Sequence, residues 1–186
     1  MSSGEAARHA DGDLPGNPMM WVLIASEIAV FGLALAGFQL ARVFDPELFA
    51  ASQARLDPWA GTANTAVLLT SGYLAAVAVR YTQASETGRS RFFLLLAAAL
   101  GCLFLYVKLL EYGTELQAGF TIDTNTFFTL YYLITGFHAL HVVFGIILLF
   151  IAIIWNSLEN AETITAFWHM VDLVWVLVFP VVYLAP

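Results

Sequence analysis

Cysteine is almost missing from this sequence. Cys102 stands alone in an apolar run, which excludes a disulfide framework, a Cys-based metal motif, an iron–sulfur cluster and a two-copper centre. Charge is scarce as well: only 11% of the 186 residues are charged. A soluble domain carries about 25%, and so little charge cannot wet the surface of a domain this size. Basic residues are the scarcer sign. Seven Lys and Arg stand against 14 Asp and Glu, for a net charge of −7, and they form no patch, which argues against nucleic acid as a partner. There is no Gly-rich phosphate loop, no internal repeat, and no pair of broken helices in matching halves of the transporter kind. The N-terminus lacks the basic start and short apolar core of a secretory signal.

What the chain has is hydrophobicity. Apolar residues make up 60% of it, and mean hydropathy is +0.79. A membrane-spanning helix needs roughly 20 apolar residues. Five runs meet that length, at about residues 19–41, 59–79, 91–110, 125–155 and 165–184. The expectation is an all-α fold: a polytopic bundle of five transmembrane helices over residues 19–186, preceded by a disordered polar tail at 1–18. Polar connections with turn residues separate the runs, among them Asp45-Pro46, Asp57-Pro58 and Thr87-Gly88-Arg89. Arg8, Arg80, Arg89 and Arg91 fall on one side of such a bundle, and Arg42 and Arg55 on the other. By the positive-inside rule the N-terminus is cytoplasmic and the C-terminus external.

The informative residues are ionisable groups within the runs, because a charge at mid-bilayer costs on the order of 3 kcal/mol. Glu27 lies inside the first span. It reads either as a proton-accessible or lipid-binding carboxyl, or as a group that only locks helix packing. His138 and His141 share a face of the fourth span, flanked by Gly136 and Gly145. His169 and Asp172 repeat the spacing in the fifth, where Trp168, Asp172 and Trp175 form one stripe. Three His with carboxylates could hold a metal. Hydrogen-bonded His in polar helix contacts is the plainer reading. Lys108 and Glu111 read as a snorkelling interfacial ion pair. Asn64, Thr65, Thr70 and Ser71, among small residues, read as tight helix packing. Taken alone, these residues indicate a bundle with a few buried polar contacts and no catalytic set.

Five elements in order resemble subunit III of the haem-copper oxidase superfamily. They are Ser26-Glu27; Asn64-Thr65 with Leu68-Leu69-Thr70-Ser71-Gly72; Glu111-Tyr112; Thr135-Gly136-Phe137-His138-Ala139-Leu140-His141-Val142; and Trp168-His169-Met170-Val171-Asp172-Leu173-Val174-Trp175. The resemblance runs from Met19 to the C-terminus. It implies a chain without cofactors or a catalytic centre of its own, in a bacterial-type plasma membrane. Its partner would be a catalytic subunit carrying haem with copper or non-haem iron. The chain would stabilise that subunit, sustain proton uptake, and hold phospholipid near Glu27, while the histidines and Asp172 fix conformation. Longer members have seven helices, the first two walling a lipid cleft, and this chain begins at the third. Its length and its closing Leu177–Leu184 stretch look most like a five-helix branch associated with nitric oxide reductase. Two other readings rest on the residues alone: an independent membrane metalloprotein using His138, His141 and His169, and a small proton-conducting protein centred on Glu27.

Overall fold

The computed structural model describes residues 18–185, which are helical almost throughout and contain no strand. The expected polar tail falls outside the described residues, apart from Pro18. Helix α1 runs Pro18–Phe44, the short α2 Pro46–Gln53, α3 Pro58–Gln83, α4 Thr87–Gln117, α5 Thr126–Ile154 and α6 Leu158–Phe179. A π-helical turn, Pro180–Leu184, continues α6. Five of these elements are long and apolar enough to cross a membrane: α1, α3, α4, α5, and α6 with its π turn.

The helices run further than the apolar spans because polar residues complete their ends. Asp-Pro pairs that read as turns are helix starts. Asp57 Oδ1 accepts from Trp59 N at 2.9 Å and Ala60 N at 3.3 Å, and Pro58 takes the first helical position, where its missing N–H costs nothing. Asp45 and Pro46 do the same for α2, so the expected loop between the first two spans is partly helical. Asn125 and Ser157 cap α5 and α6. At the end of α4, Phe120 N bonds Glu115 O at 2.9 Å and Gly119 N bonds Leu116 O at 3.1 Å. Gly119 adopts φ +88°. This is a Schellman close, and it carries α4 well past residue 110.

Helix α6 is the centre of the bundle. Its most apolar 18-residue window is 56% buried, against 17% for α1 at the edge. Helices α3 and α5 pack on α6, α4 packs on α3 and α5 and meets α6 at Gly101, and α1 lies against α5 and α6. Close approach needs notches for the α6 indoles. A Cβ on Gly145 would meet Trp168 Cε3 at 2.5 Å, and one on Gly101 would meet Trp168 Cη2 at 2.8 Å. Gly136, which also read as a close-approach site, has only the Tyr112 hydroxyl at 4.0 Å. At the far end Phe38, Phe49 and Phe127 meet edge to face, with centroids 5.2–5.6 Å apart, joining α1, α2 and α5.

Gly145→Ala is expected to cost about 1–3 kcal/mol by overpacking Trp168. Gly136→Ala in the same helix should stay within about 0.5 kcal/mol of wild type. Thermal unfolding of the detergent-solubilised chain compares the two, and equal melting temperatures would contradict the notch.

Candidate functional site

Polar side chains from distant parts of the chain gather in three places. The most enclosed is built on Lys108. Its Nζ donates to Glu111 Oε1 at 3.1 Å, to Tyr131 Oη at 3.0 Å and to Tyr183 Oη at 2.5 Å. Tyr131 and Tyr183 in turn donate to the same Glu111 oxygen, at 2.6 and 2.5 Å. All three ammonium protons are used. The ammonium also lies 4.7–5.4 Å from the ring centroids of Tyr112, Tyr131, Trp175 and Tyr183, within cation–π range. The Lys108 and Glu111 side chains are 2% and 6% exposed. The pair is therefore caged inside the bundle and does not snorkel to an interface. Snorkelling was the sequence expectation because the tyrosines that close the cage lie on α5 and at the end of α6, out of sight of local spacing.

The second site joins α1 to α5. Glu27 Oε2 lies 3.1 Å from His141 Nε2, at ion-pair distance though not aligned as a hydrogen bond. His141 Nδ1 is 2.9 Å from the Phe137 carbonyl. A carbonyl only accepts, so Nδ1 carries a proton. A bare Nε2 and a carboxylate oxygen would both be acceptors. Their approach is attractive only when one proton resides on the pair, as Glu27–H facing neutral imidazole or as carboxylate facing imidazolium. Both side chains retain some exposure, 19% and 15%. His138, one turn away, is fully buried, and neither ring nitrogen has a hydrogen-bond partner. It is packed instead among Phe31, Phe104 and Trp175. The expectation of a hydrogen-bonded His138 does not match this setting, because the residues its face meets are aromatic.

The third site lies between α3 and α6. Asp172 is buried, with Oδ2 3.6 Å from His169 Nδ1. Gly72 leaves the space they occupy, since a Cβ there would collide with the Asp172 carboxylate. Trp168 Nε1 donates to Ser71 Oγ at 3.1 Å, and Trp175 Nε1 to Thr65 Oγ1 at 2.9 Å. Ser71 Oγ and Asn64 Nδ2 donate to the α4 carbonyls of Ala97 and Phe104. The hydroxyl-rich face of α3 is thus a row of interhelical bonds. Trp168, Asp172 and Trp175 do share one stripe of α6: both indole N–H groups bond α3, while the rings pack on α4 and α5.

His138, His141 and His169 are not brought together. Among the described residues no three of His, Cys, Asp and Glu form a group able to hold a metal. Sequence reasoning missed Tyr131, Tyr183 and Arg42. Arg42 donates to the Val181 and Ala185 carbonyls, at 3.0 and 2.9 Å, and to Gln53, which fastens the end of α1 to the end of the chain. An apolar cleft of about 630 Å³ opens between α1, α3 and α6, with Arg80, Glu162 and His169 on its wall.

Comparison with known proteins agrees with this architecture. The family model described as Cytochrome c oxidase subunit III matches residues 20–185. Cytochrome c oxidase subunit 3 of Thermostichus vulcanus is 30% identical over 173 residues, 88% of this chain and 84% of that protein. Heme-copper oxidase subunit I+III of Aeropyrum pernix is 31% identical over 185 residues, 89% of this chain but 22% of that longer protein. Probable quinol oxidase subunit 3 of Staphylococcus haemolyticus is 24% identical over 179 residues, 88% of this chain and 86% of that protein.

Lys108→Met strands the Glu111 carboxylate inside the bundle. It is expected to destabilise the chain by about 3–5 kcal/mol. Adding Glu111→Gln removes the stranded charge and should restore most of the loss. Chemical unfolding of the single and double variants in detergent measures the difference, and simple additivity would contradict the cage.

Proposed function

The chain belongs to the cytochrome c oxidase subunit III family, and from that premise we propose that it is a non-catalytic subunit of a haem-copper oxidase-type respiratory complex. The observation that carries this reading is the family match over residues 20–185, nearly the whole chain. The Aeropyrum pernix relative joins subunits I and III under one name. That supports a place beside a catalytic subunit, which supplies the haem and its second metal, copper or non-haem iron, while this chain binds no cofactor. The named relatives are cytochrome c and quinol oxidase subunits. They favour an oxygen-reducing partner over the nitric oxide reductase association that the length and the closing Leu177–Leu184 stretch suggested.

In this reading the caged Lys108 pair and the α3–α6 bonds make a rigid body on which the catalytic subunit rests. Glu27 and His141, at the less buried edge, hold the proton that supports sustained proton uptake, with phospholipid alongside. The polar contacts of His169, Asp172, Trp168 and Trp175, and the aromatic packing of His138, fix the helices. Arg80, Arg89 and Arg91 lie at one end of the bundle and Arg42 and Arg55 at the other. This charge distribution supports a cytoplasmic N-terminus and an external C-terminus in a bacterial-type plasma membrane.

An affinity tag on this chain should co-purify a haem-bearing membrane protein from native membranes, while the chain expressed alone shows no haem absorption. Stoichiometric haem in the isolated chain would sink the reading. In the intact complex, Glu27→Gln should leave initial turnover near wild type and shorten active lifetime during turnover. An unchanged inactivation rate would remove Glu27 from proton or lipid supply.

A further inference from the structure

A pocket at the Arg42 and Arg55 end of the bundle is used by none of the roles above. It encloses about 340 Å³ between the α2–α3 link and the last turns of α4, and Arg55, Asp57, Glu111, Glu115 and Phe120 line it. Glu111 and Glu115 stand four apart on α4 and face it together. Glu111 commits Oε1 to Lys108, Tyr131 and Tyr183, while Oε2 accepts no hydrogen bond from the described residues. Glu115 is only 7% exposed. No described residue donates to its carboxylate or forms an ion pair with it. These oxygens are open to the pocket and not sealed in protein.

Left to itself this arrangement is unfavourable. Like charges four apart on a helix repel. Glu115 also lies in the last turn of α4, at the negative end of the helix dipole, and that turn holds no basic residue. The neighbouring cations do not complete it. Lys108 has spent all three protons inside the cage. Arg55 is exposed and lies over the Phe120 ring, 5.9 Å from its centroid. Asp57, Glu111 and Glu115 against Lys108 and Arg55 leave one negative charge over. No three acids or histidines converge here as metal ligands do, whereas a single organic cation balances the charge. Its source follows from the cost of association. One ion pair does not repay a free ion for the freedom it loses on binding. A basic side chain carried by a subunit already docked has met that cost elsewhere.

We propose that this pocket is a socket for one basic side chain, arginine or lysine, of the neighbouring catalytic subunit, which seats against Glu115 and the free oxygen of Glu111. The inference rests on this chain's place beside such a subunit. It makes the end of α4 part of the interface and couples that interface to the Lys108 cage through the two oxygens of one carboxylate.

The test compares the tagged complex from native membranes with the chain alone in detergent. Haem retained per tagged chain, measured on dilution at rising salt, gives an apparent Kd. Glu115→Gln should raise it about tenfold or more, the effect of truncating one partner of a buried charge pair, and Glu115→Lys should raise it further. In the chain alone, Glu115→Gln should melt no lower than wild type, because it removes a charge that nothing within the chain pairs. The exposed Glu159→Gln, at the opposite end of the bundle, should change neither readout. Unchanged haem retention in Glu115→Gln would overturn the socket and leave the subunit reading standing, whereas loss of haem from the wild-type preparation would remove both. Equal destabilisation of the isolated chain by Glu115→Gln and Arg55→Gln would make the pair internal and overturn the proposal. So would a raised melting temperature of the isolated wild-type chain, but not of Glu115→Gln, in millimolar methylguanidinium, which would make the pocket a site for a free ion.

Discussion

A single ammonium group organises this bundle. Lys108 has no water to retreat to, and in hydrocarbon every polar atom must find its partner within the protein. Its three donors reach Glu111 on the same helix, Tyr131 on α5 and Tyr183 in the closing turn. One residue thereby fixes the mutual rotation of α4, α5 and the end of α6. Trp175 extends the arrangement. It forms one wall of the cage, stacks against His138 and donates to Thr65 on α3. The helices around α6 are consequently referenced to a common point, and the aromatic packing fills the space between polar anchors that are already placed.

The edge helix is held differently. Arg42 clamps the end of α1 to the carbonyls of Val181 and Ala185, and midway along the helix Glu27 meets His141. Between them Phe31 and Phe38 insert into the aromatic layer. One polar contact is thus a clamp and the other a carboxyl–imidazole pair. The pair is also less enclosed than the Lys108 cage, with side chains 19% and 15% exposed. The caged lysine, by contrast, is saturated and enclosed, and its contribution is rigidity.

Hydropathy made the five spans legible, since nothing except a membrane accommodates so many apolar runs with so few charges. It could not place their ends. Helices α4 and α6 reach into segments holding Glu111, Glu115, Glu159 and Glu162, which a hydropathy window discounts, and capping by Asp57, Asn125 and Gly119 decides the boundaries. At the sites, local spacing identified His169 with Asp172 and Lys108 with Glu111, because both pairs lie three apart on one helix. It could not join Glu27 to His141, separated by most of the chain, nor foresee that Tyr131 and Tyr183 would enclose Lys108. Those contacts depend on the rotation of one helix against another, which no single span encodes. The aromatic setting of His138 was hidden for the same reason.

The turn at Pro180–Leu184 has a consequence of its own. Proline has no N–H for the preceding turn, and the helix widens until Ala185 N reaches Pro180 O at 2.8 Å. The widening acts as an angular offset: the extra residue in the loop of hydrogen bonds shifts which way every later side chain faces. Tyr183 lies inside that turn, and it is from there that its hydroxyl meets Lys108. The segment should therefore accept many changes of side-chain identity and very few changes of length. Deleting one residue there would swing the Tyr183 hydroxyl away from the ammonium while leaving composition and hydropathy almost untouched. In this part of the chain, spacing carries more information than sequence.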